Sequence, residues 1–499
     1  MSNRQSLPRR TLLAGAVGAG AAAALGGRAT AAAPRMSGAA EGRCPGPYEP
    51  TPGSLSQHPT ARWFSDGKFG IFIHWGVYAV PHWGDDAWSS EWYLYGFNAF
   101  EKGTLHDHHR ATYGADFPYD AFIPRFRAER FDPHDWVRLF ERAGARYFVL
   151  TSKHHDGFQL FPNRASNRNS VAMGPKRDLV GELFGAARHT QLKRGLYYSL
   201  GEFYNPALGT PPLNPYTREP VPYTGYKPVR DYVAEYEHVH LRTLIDRYDP
   251  DVLWGDGQGT HNFDGGAGHI FRPPEWDWRS DEIMADFYNH AVNRARPKDV
   301  IMNDRFIASH ADYLTVEGDK SYTLQAAPWE ACVTMSRSWG YMDPTSKIKT
   351  KEKLVQLLVD IVAKNGTLLL NIGPRADGTI ADWQRERLLA IGAWLDVNGE
   401  AVYGSTPWSR ADDGELRYTV GSDGAFHIVP LSWPGTRLTV PADLPVADGS
   451  VIRLLGHRGG PLAWRRTADA VEIDLPASGP PGAGPGYPVV LKVQREGTR

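Results

Sequence analysis

The 499-residue chain contains two cysteines, Cys44 and Cys332. Two are too few for a disulfide framework, and no metal-binding cysteine spacing surrounds either one. An excess of one charge sign is missing too. Fifty-five Lys and Arg stand against 56 Asp and Glu, a formal net charge of −1. That removes the electrostatic footprint of a protein that binds nucleic acid or an anionic membrane surface. No apolar run reaches the roughly twenty residues that a membrane span needs, so no span is expected in the mature protein. Gly-x-Ser-x-Gly, the elbow of many serine hydrolases, does not occur. Aromatic residues are abundant by contrast, with 16 Trp and 23 Tyr. Their rings stack on the apolar faces of neutral ligands, sugars included, and they also fill large cores.

The N-terminus reads as an export signal. Pro8-Arg9-Arg10-Thr11-Leu12-Leu13 sets an arginine pair before leucines, and an Ala/Gly-rich run continues to Gly27. Small residues then offer cleavage after Ala31 or Ala33. Residues 1–33 are therefore expected to be a twin-arginine-type signal peptide, which would deliver a folded bacterial protein to the periplasm or beyond. Residues 34–58, rich in Pro, Gly and Ser, are expected to be a flexible lead-in.

From Trp63 onward, short apolar runs alternate with helical patterns. Gly70–Trp75, Tyr147–Thr151, Gly195–Ser199, Val252–Trp254 and Val300–Asn303 read as buried strands. Asp132 opens one intervening helix that Gly144 ends, and Asp178 caps another running to about Lys193. Further helices are predicted from about Asp231 to Tyr248 and Asp281 to Arg296. Tyr313–Val316 and Cys332–Met335 fit strands six and seven, with only loops between them. A helix at Lys351–Lys364, a strand at Thr367–Asn371 and a helix at Trp383–Asn398 close the set.

Strand and helix in alternation predict a parallel sheet with crossovers. Eight such strands predict an irregular (β/α)8 TIM-like barrel over residues 59–404. A doubly wound open sheet is the alternative, but no Gly-rich phosphate loop follows the first strand. After Gly404 the pattern becomes short alternating runs separated by Gly, Pro and Asp turns. Residues 405–499 are therefore expected to form an antiparallel β-sandwich.

Polar residues cluster where the barrel strands are predicted to end. They include His74, His154, His155, Tyr197, Asp256, Asn303 to Arg305, and Glu317. Enzymes of this architecture keep their chemistry at the carboxyl ends of the strands. Asp256, after Val252-Leu253-Trp254-Gly255, is the natural focus, although an Asp before a Gly is also an ordinary turn. Adjacent histidines at 154 and 155 do not have the His-x-His spacing that directs two rings from one strand to a metal. Hydroxyl binding suits them better. Asp256 and Glu317 each follow a predicted strand and could form the carboxylate pair of a glycoside hydrolase. Asp304, Asp312, Glu91 and Asp156 compete for the second place, and spacing does not choose among them.

Several longer motifs carry a family resemblance. Lys68-Phe69-Gly70-Ile71-Phe72-Ile73-His74-Trp75-Gly76, Ser90-Glu91-Trp92-Tyr93 and Lys153-His154-His155-Asp156-Gly157-Phe158 are three of them. Asn303-Asp304-Arg305, Trp329-Glu330, Ser338-Trp339-Gly340-Tyr341 and Leu368-Leu369-Leu370-Asn371-Ile372-Gly373-Pro374 follow in the same order. Together they resemble the α-L-fucosidases of glycoside hydrolase family 29. The resemblance implies exo-acting, retaining hydrolysis of α-L-fucosylated oligosaccharides or glycoconjugates, with no metal or other cofactor. It implies Asp256 as nucleophile and Glu317 as acid/base. It also implies that His74, Glu91, Trp92, His154, His155, Tyr197, Trp254 and Arg305 hold the sugar. A different retaining exoglycosidase, or a secreted carbohydrate-binding protein on a degenerate barrel, are the competing readings. The intact Asp256 and Glu317 argue against the latter.

Overall fold

The computed structural model describes residues 44–495, apart from 87, 100–102, 258–276, 319–321, 344–346, 480–483 and 485. The expected signal peptide and residues 34–43 of the expected lead-in lie outside the described residues. Eight parallel strands form one curled sheet. They are β1 (Phe69–Ile73), β2 (Tyr147–Lys153), β3 (Lys193–Ser199), β4 (Val252–Asp256), β5 (Ile301–Met302), β6 (Leu314–Glu317), β7 (Trp329–Thr334) and β8 (Gly366–Ile372). Their order, β5-β4-β3-β2-β1-β8-β7-β6, is that of a barrel with its seam between β5 and β6.

Among the described residues, five helices cross between successive strands, α1 (Pro133–Arg142), α2 (Leu179–Ala186), α3 (His238–Tyr248), α4 (Ser280–Val292) and α5 (Lys351–Ala363), and α6 (Asp382–Asn398) follows β8. Asp132 caps α1 by accepting from the backbone N–H groups of His134 and Asp135, and Pro133 occupies the first turn. Asp178 caps α2 through Gly181 N at 2.8 Å. This helix stops at Ala186, short of the expected Lys193. Thr190 makes the turn that follows, with its hydroxyl donating to Ala187 O and accepting from Leu192 N.

Period-2 alternation sorts each strand. Leu253 packs outward in the large core, whereas Val252 and Trp254 point into the barrel. Phe72, Tyr147, Val149, Tyr197, Ile301, Tyr313, Cys332 and Leu369 join them there. Asp256, two residues beyond Trp254, inherits the inner face. Strand β7 begins at Trp329, earlier than the expected Cys332. A pattern reading starts a buried strand after the charged residue, but the Glu330 carboxylate is fully buried and satisfied by Tyr147 and Trp254.

The seam is closed by side chains as well as backbone. Asn303 and Tyr313 form a single parallel bridge, and Asp312 N donates to Met302 O at 3.0 Å. The Asp312 carboxylate accepts from Met302 N at 2.7 Å and from the Tyr288 hydroxyl at 2.9 Å. His58 Nδ1 lies 2.8 Å from its other oxygen. Residues 44–58, expected to be loose, are therefore tied down. Tyr48 N donates to Asn289 Oδ1 of α4, whose amide donates back to the carbonyls of Cys44 and Tyr48.

Beyond Thr406, antiparallel strands build a five-stranded and a three-stranded sheet around a shared apolar core that includes Tyr418, Ile428, Val440, Ile452 and Ile473. This sandwich rests on the outside of the barrel. Gln356 of α5 donates to Leu431 O and Gly486 O, and Trp394 of α6 donates to Pro488 O.

Candidate active site

The carboxyl ends of the barrel strands surround one cavity of about 600 Å3, counted with its open mouth. Strand β1 leads to His74, β2 to His154 and His155, and β3 carries Tyr197. Strand β4 supplies Trp254 and Asp256, the turn after β5 supplies Arg305, and β6 ends on Glu317. Trp92 closes the side. Nine of the ten residues singled out in the sequence thus line this space.

Asp256 is recessed, with 17% of its side chain exposed. Tyr197 donates its hydroxyl to Oδ2 at 2.7 Å, His155 Nε2 stands 3.3 Å from the same oxygen, and Arg305 Nη1 lies 3.1 Å from Oδ1. Burial alone would raise this carboxyl's pKa. The contacts from His155, Arg305 and Tyr197 outweigh it and hold the group well below the usual carboxylate range. Asp256 is therefore an anion at any working pH. Glu317 sits at the mouth, with 46% of its side chain exposed, and accepts from Arg305 Nη2 at 2.8 Å. One guanidinium thus spans both carboxylates. It also lies over the Trp254 ring, 5.1 Å from the centroid, and its Nε donates to Thr315 Oγ1 at 3.0 Å.

Burial keeps two of the histidines, His74 and His154, as neutral hydrogen bonders. Asn371 donates its amide to Trp339 O, so its oxygen is free to accept from His74 Nδ1 at 2.7 Å. His74 Nε2 is left as an acceptor. Burial pushes the His74 pKa down to about 3. His154 stacks on Tyr197 with centroids 5.6 Å apart and 11° between the planes. Its buried Nδ1 has no hydrogen-bond partner among the described residues. Desolvation lowers its pKa strongly, so the ring is suited to meeting a hydroxyl. His155 donates through Nδ1 to Ser199 Oγ, whose own proton goes to the Gly201 carbonyl.

Glu91 differs from expectation in position. It is fully buried and does not line the cavity; Ser89 donates to one oxygen, Gly340 N (2.9 Å) and Ser338 Oγ (3.3 Å) to the other. It braces the turn that presents Trp339. The other rivals for the second carboxylate are also committed. Asp304 accepts from Thr315 N and Oγ1, and Asp312 closes the seam. Asp156, fully buried, accepts from the Tyr119 hydroxyl and Phe158 N. Glu317 is the carboxylate that shares the cavity with Asp256.

The family model described as Alpha-L-fucosidase matches residues 36–400. The tissue alpha-L-fucosidase of Rattus norvegicus is 35% identical over 459 residues, 89% of this chain and 92% of that protein. The plasma alpha-L-fucosidase of Homo sapiens is 35% identical over 86% of this chain and 88% of its own length. The Thermotoga maritima alpha-fucosidase, solved in complex with fucose, superposes with a TM-score of 0.73. It is 33% identical, covering 90% of this chain and 100% of that one. An alpha-L-fucosynthase made from that enzyme by one Asp-to-Gly change gives 0.72 at 31% identity, with the same coverage.

The chain belongs to the alpha-L-fucosidase family, glycoside hydrolase family 29. It is a glycoside hydrolase acting on O-glycosyl bonds. Three cavity residues of the fucosidase were not singled out from sequence. Phe72 shares the inner face of β1 with His74, two residues on, so the strand period would have found it. Trp339 lies within a motif already noted, and Cys332 lies on the inner face of β7. Among the described residues no group of three or more His, Cys, Asp or Glu side chains is placed to hold a metal ion.

Proposed function

We propose that the enzyme removes terminal α-L-fucose from oligosaccharides or glycoconjugates with retention, in two displacements. Asp256 attacks the anomeric carbon while Glu317 gives a proton to the departing oxygen, and a covalent fucosyl-enzyme forms. Water then attacks that carbon, Glu317 takes its proton, and the bond to Asp256 breaks. The observation that carries this reading is the contrast between two carboxylates that share Arg305. Asp256 is recessed and held as an anion by three donors, as a nucleophile requires. Glu317 is half-exposed at the mouth, where a leaving group departs and water enters.

Fucose offers three hydroxyls and a methyl group. His74, His154, His155, Tyr197, Trp92 and Arg305 suit the hydroxyls, while Trp254, Phe72 and Trp339 offer an apolar wall.

The test is Asp256→Gly with a chromogenic aryl α-L-fucoside. Hydrolysis should fall by more than about 10³-fold, and added azide should restore turnover with β-fucosyl azide as product. Parent-like hydrolysis in that variant would overturn the assignment. We further infer export by the twin-arginine route, on the strength of Arg9-Arg10 and the small residues before Ala33. Replacing both arginines by lysine should trap the full-length chain in the cytoplasm, read by fractionation.

A further inference from the structure

We propose that Glu330 is a positioning residue for the reaction: its buried carboxylate holds the Trp254 indole, and through it the two donors that aim Asp256. The inference rests on the reading of Asp256 as nucleophile. Glu330 lies on β7 inside the barrel, fully buried, and is not one of the cavity-lining residues. It therefore acts through a neighbour. Trp254 Nε1 donates to Oε1 at 2.8 Å, and the Tyr147 hydroxyl donates to Oε2 at 2.5 Å.

A carboxylate in a barrel interior is costly to desolvate, and an apolar side chain of similar volume would often be as stable there or more so. Its retention is explained by what it holds. The indole is stacked on Tyr197, with centroids 5.5 Å apart and 21° between the planes, and Arg305 lies across it at 5.1 Å. Those two residues are donors to Asp256, at 2.7 and 3.1 Å. An indole free to rotate would displace both donors at once. Local sequence serves the same arrangement. A Cβ on Gly70 would stand 2.3 Å from the Tyr147 ring, so only glycine lets that ring cross the barrel toward Glu330.

The contact is also protected against protonation. Burial raises the Glu330 pKa to about 7, against the hydrogen bonds from Tyr147 and Trp254; Asp304 adds to the rise and Arg305 opposes it. Tyr313 and Cys332 are the other titratable groups that feel its charge. An indole N–H can only donate, whereas a tyrosine hydroxyl can donate or accept. When Glu330 takes up a proton, the Tyr147 bond can reverse while Oε1 goes on accepting from Trp254. The hold on Trp254 then persists in both states.

That asymmetry sets the test, run on the full chain with a chromogenic fucoside. Glu330→Gln retains an acceptor for Trp254 and offers Tyr147 an N–H, so kcat/KM should stay within about threefold of the parent. Glu330→Met removes the acceptor and should lower kcat/KM by about tenfold or more. In a Trp254→Phe background, with no indole N–H to hold, the same Met substitution should change kcat/KM by less than about threefold. A tenfold loss in Glu330→Gln, a parent-like Glu330→Met, or an equal loss in the Trp254→Phe background would each overturn the proposal. Should the Met variant fail to fold, Trp254→Phe tests the same bond from the donor's side: it should itself lower kcat/KM by about tenfold or more, and parent-like activity there would overturn the proposal. Asp256→Gly, measured alongside, separates the two ideas. If it keeps activity, the nucleophile reading falls and this proposal with it; if it loses activity while the Glu330 arms fail, this proposal falls alone.

Discussion

Arg305 meets Asp256 at 3.1 Å through one terminal nitrogen while its other terminal nitrogen reaches Glu317 at 2.8 Å. A planar fork can serve two carboxylates at once, and a lysine ammonium on its flexible stem cannot do so in the same geometry. Arg305→Lys should therefore lower kcat/KM for a chromogenic fucoside by about 10²–10³-fold, the usual cost of losing a preorganised donor. A loss under threefold would remove Arg305 from any role in aligning the pair.

Glu317 is expected to act on the leaving group. Glu317→Ala should be slow with fucosides whose departing oxygen needs a proton and far less impaired with a 2,4-dinitrophenyl fucoside, whose leaving group departs unaided. The ratio of the two losses should exceed about tenfold, within the range general acid catalysis contributes. Equal losses on both substrates would mean that the proton comes from elsewhere.

The barrel and most of its site were legible because two periodicities carry them. Apolar runs of strand length mark the sheet, and residues two apart on a strand share a face, which puts Trp254 and Asp256 in one space. Glu330 was invisible to that logic, since a charged residue inside a strand is legible only once its donors, Tyr147 and Trp254, are located. Asp312 could be weighed as a catalytic acid only while its donors were unknown. The lead-in misled for a related reason. Its Pro- and Gly-rich composition describes local stiffness, whereas the contacts that order Tyr48 come from Asn289, 241 residues away.

The buried, neutral His74 gives the stability of the enzyme a predictable sign with pH. Burial holds His74 at about 3 in the folded state, against about 6.5 unfolded. Between those values the unfolded chain binds a proton that the folded chain does not, so stability falls as pH drops below about 6.5. His74→Gln removes that titration. Its thermal midpoint, followed from pH 7 to pH 4, should decline less steeply than the parent's. A parallel decline would show that His74 already carries its proton in the native state.

Asp312 turns the β5–β6 seam into a place where stability and catalysis can be separated. Its side chain is fully buried and accepts from Met302 N and Tyr288, with His58 at 2.8 Å. His58 in turn stacks flat on Tyr288, with centroids 3.6 Å apart. Burial opposes ionisation, but His310, 3.8 Å from Oδ1, and the hydrogen bond with His58 keep the Asp312 pKa below its ordinary value. Its stabilising effect is thus full above about pH 4 and is lost as pH falls through the folded-state value. Asp312→Asn sets an amide N–H₂ against those donors and should cost roughly 3–5 kcal/mol in denaturant unfolding. His58→Phe keeps the stacked ring and loses only the polar contact, so the expected cost is smaller, about 1.5–3 kcal/mol. Because β5 leads to Arg305 and β6 to Glu317, the Asn variant should also lose activity under conditions where it is fully folded. If it is destabilised yet fully active when folded, the seam braces the barrel without setting the distance between Arg305 and Glu317.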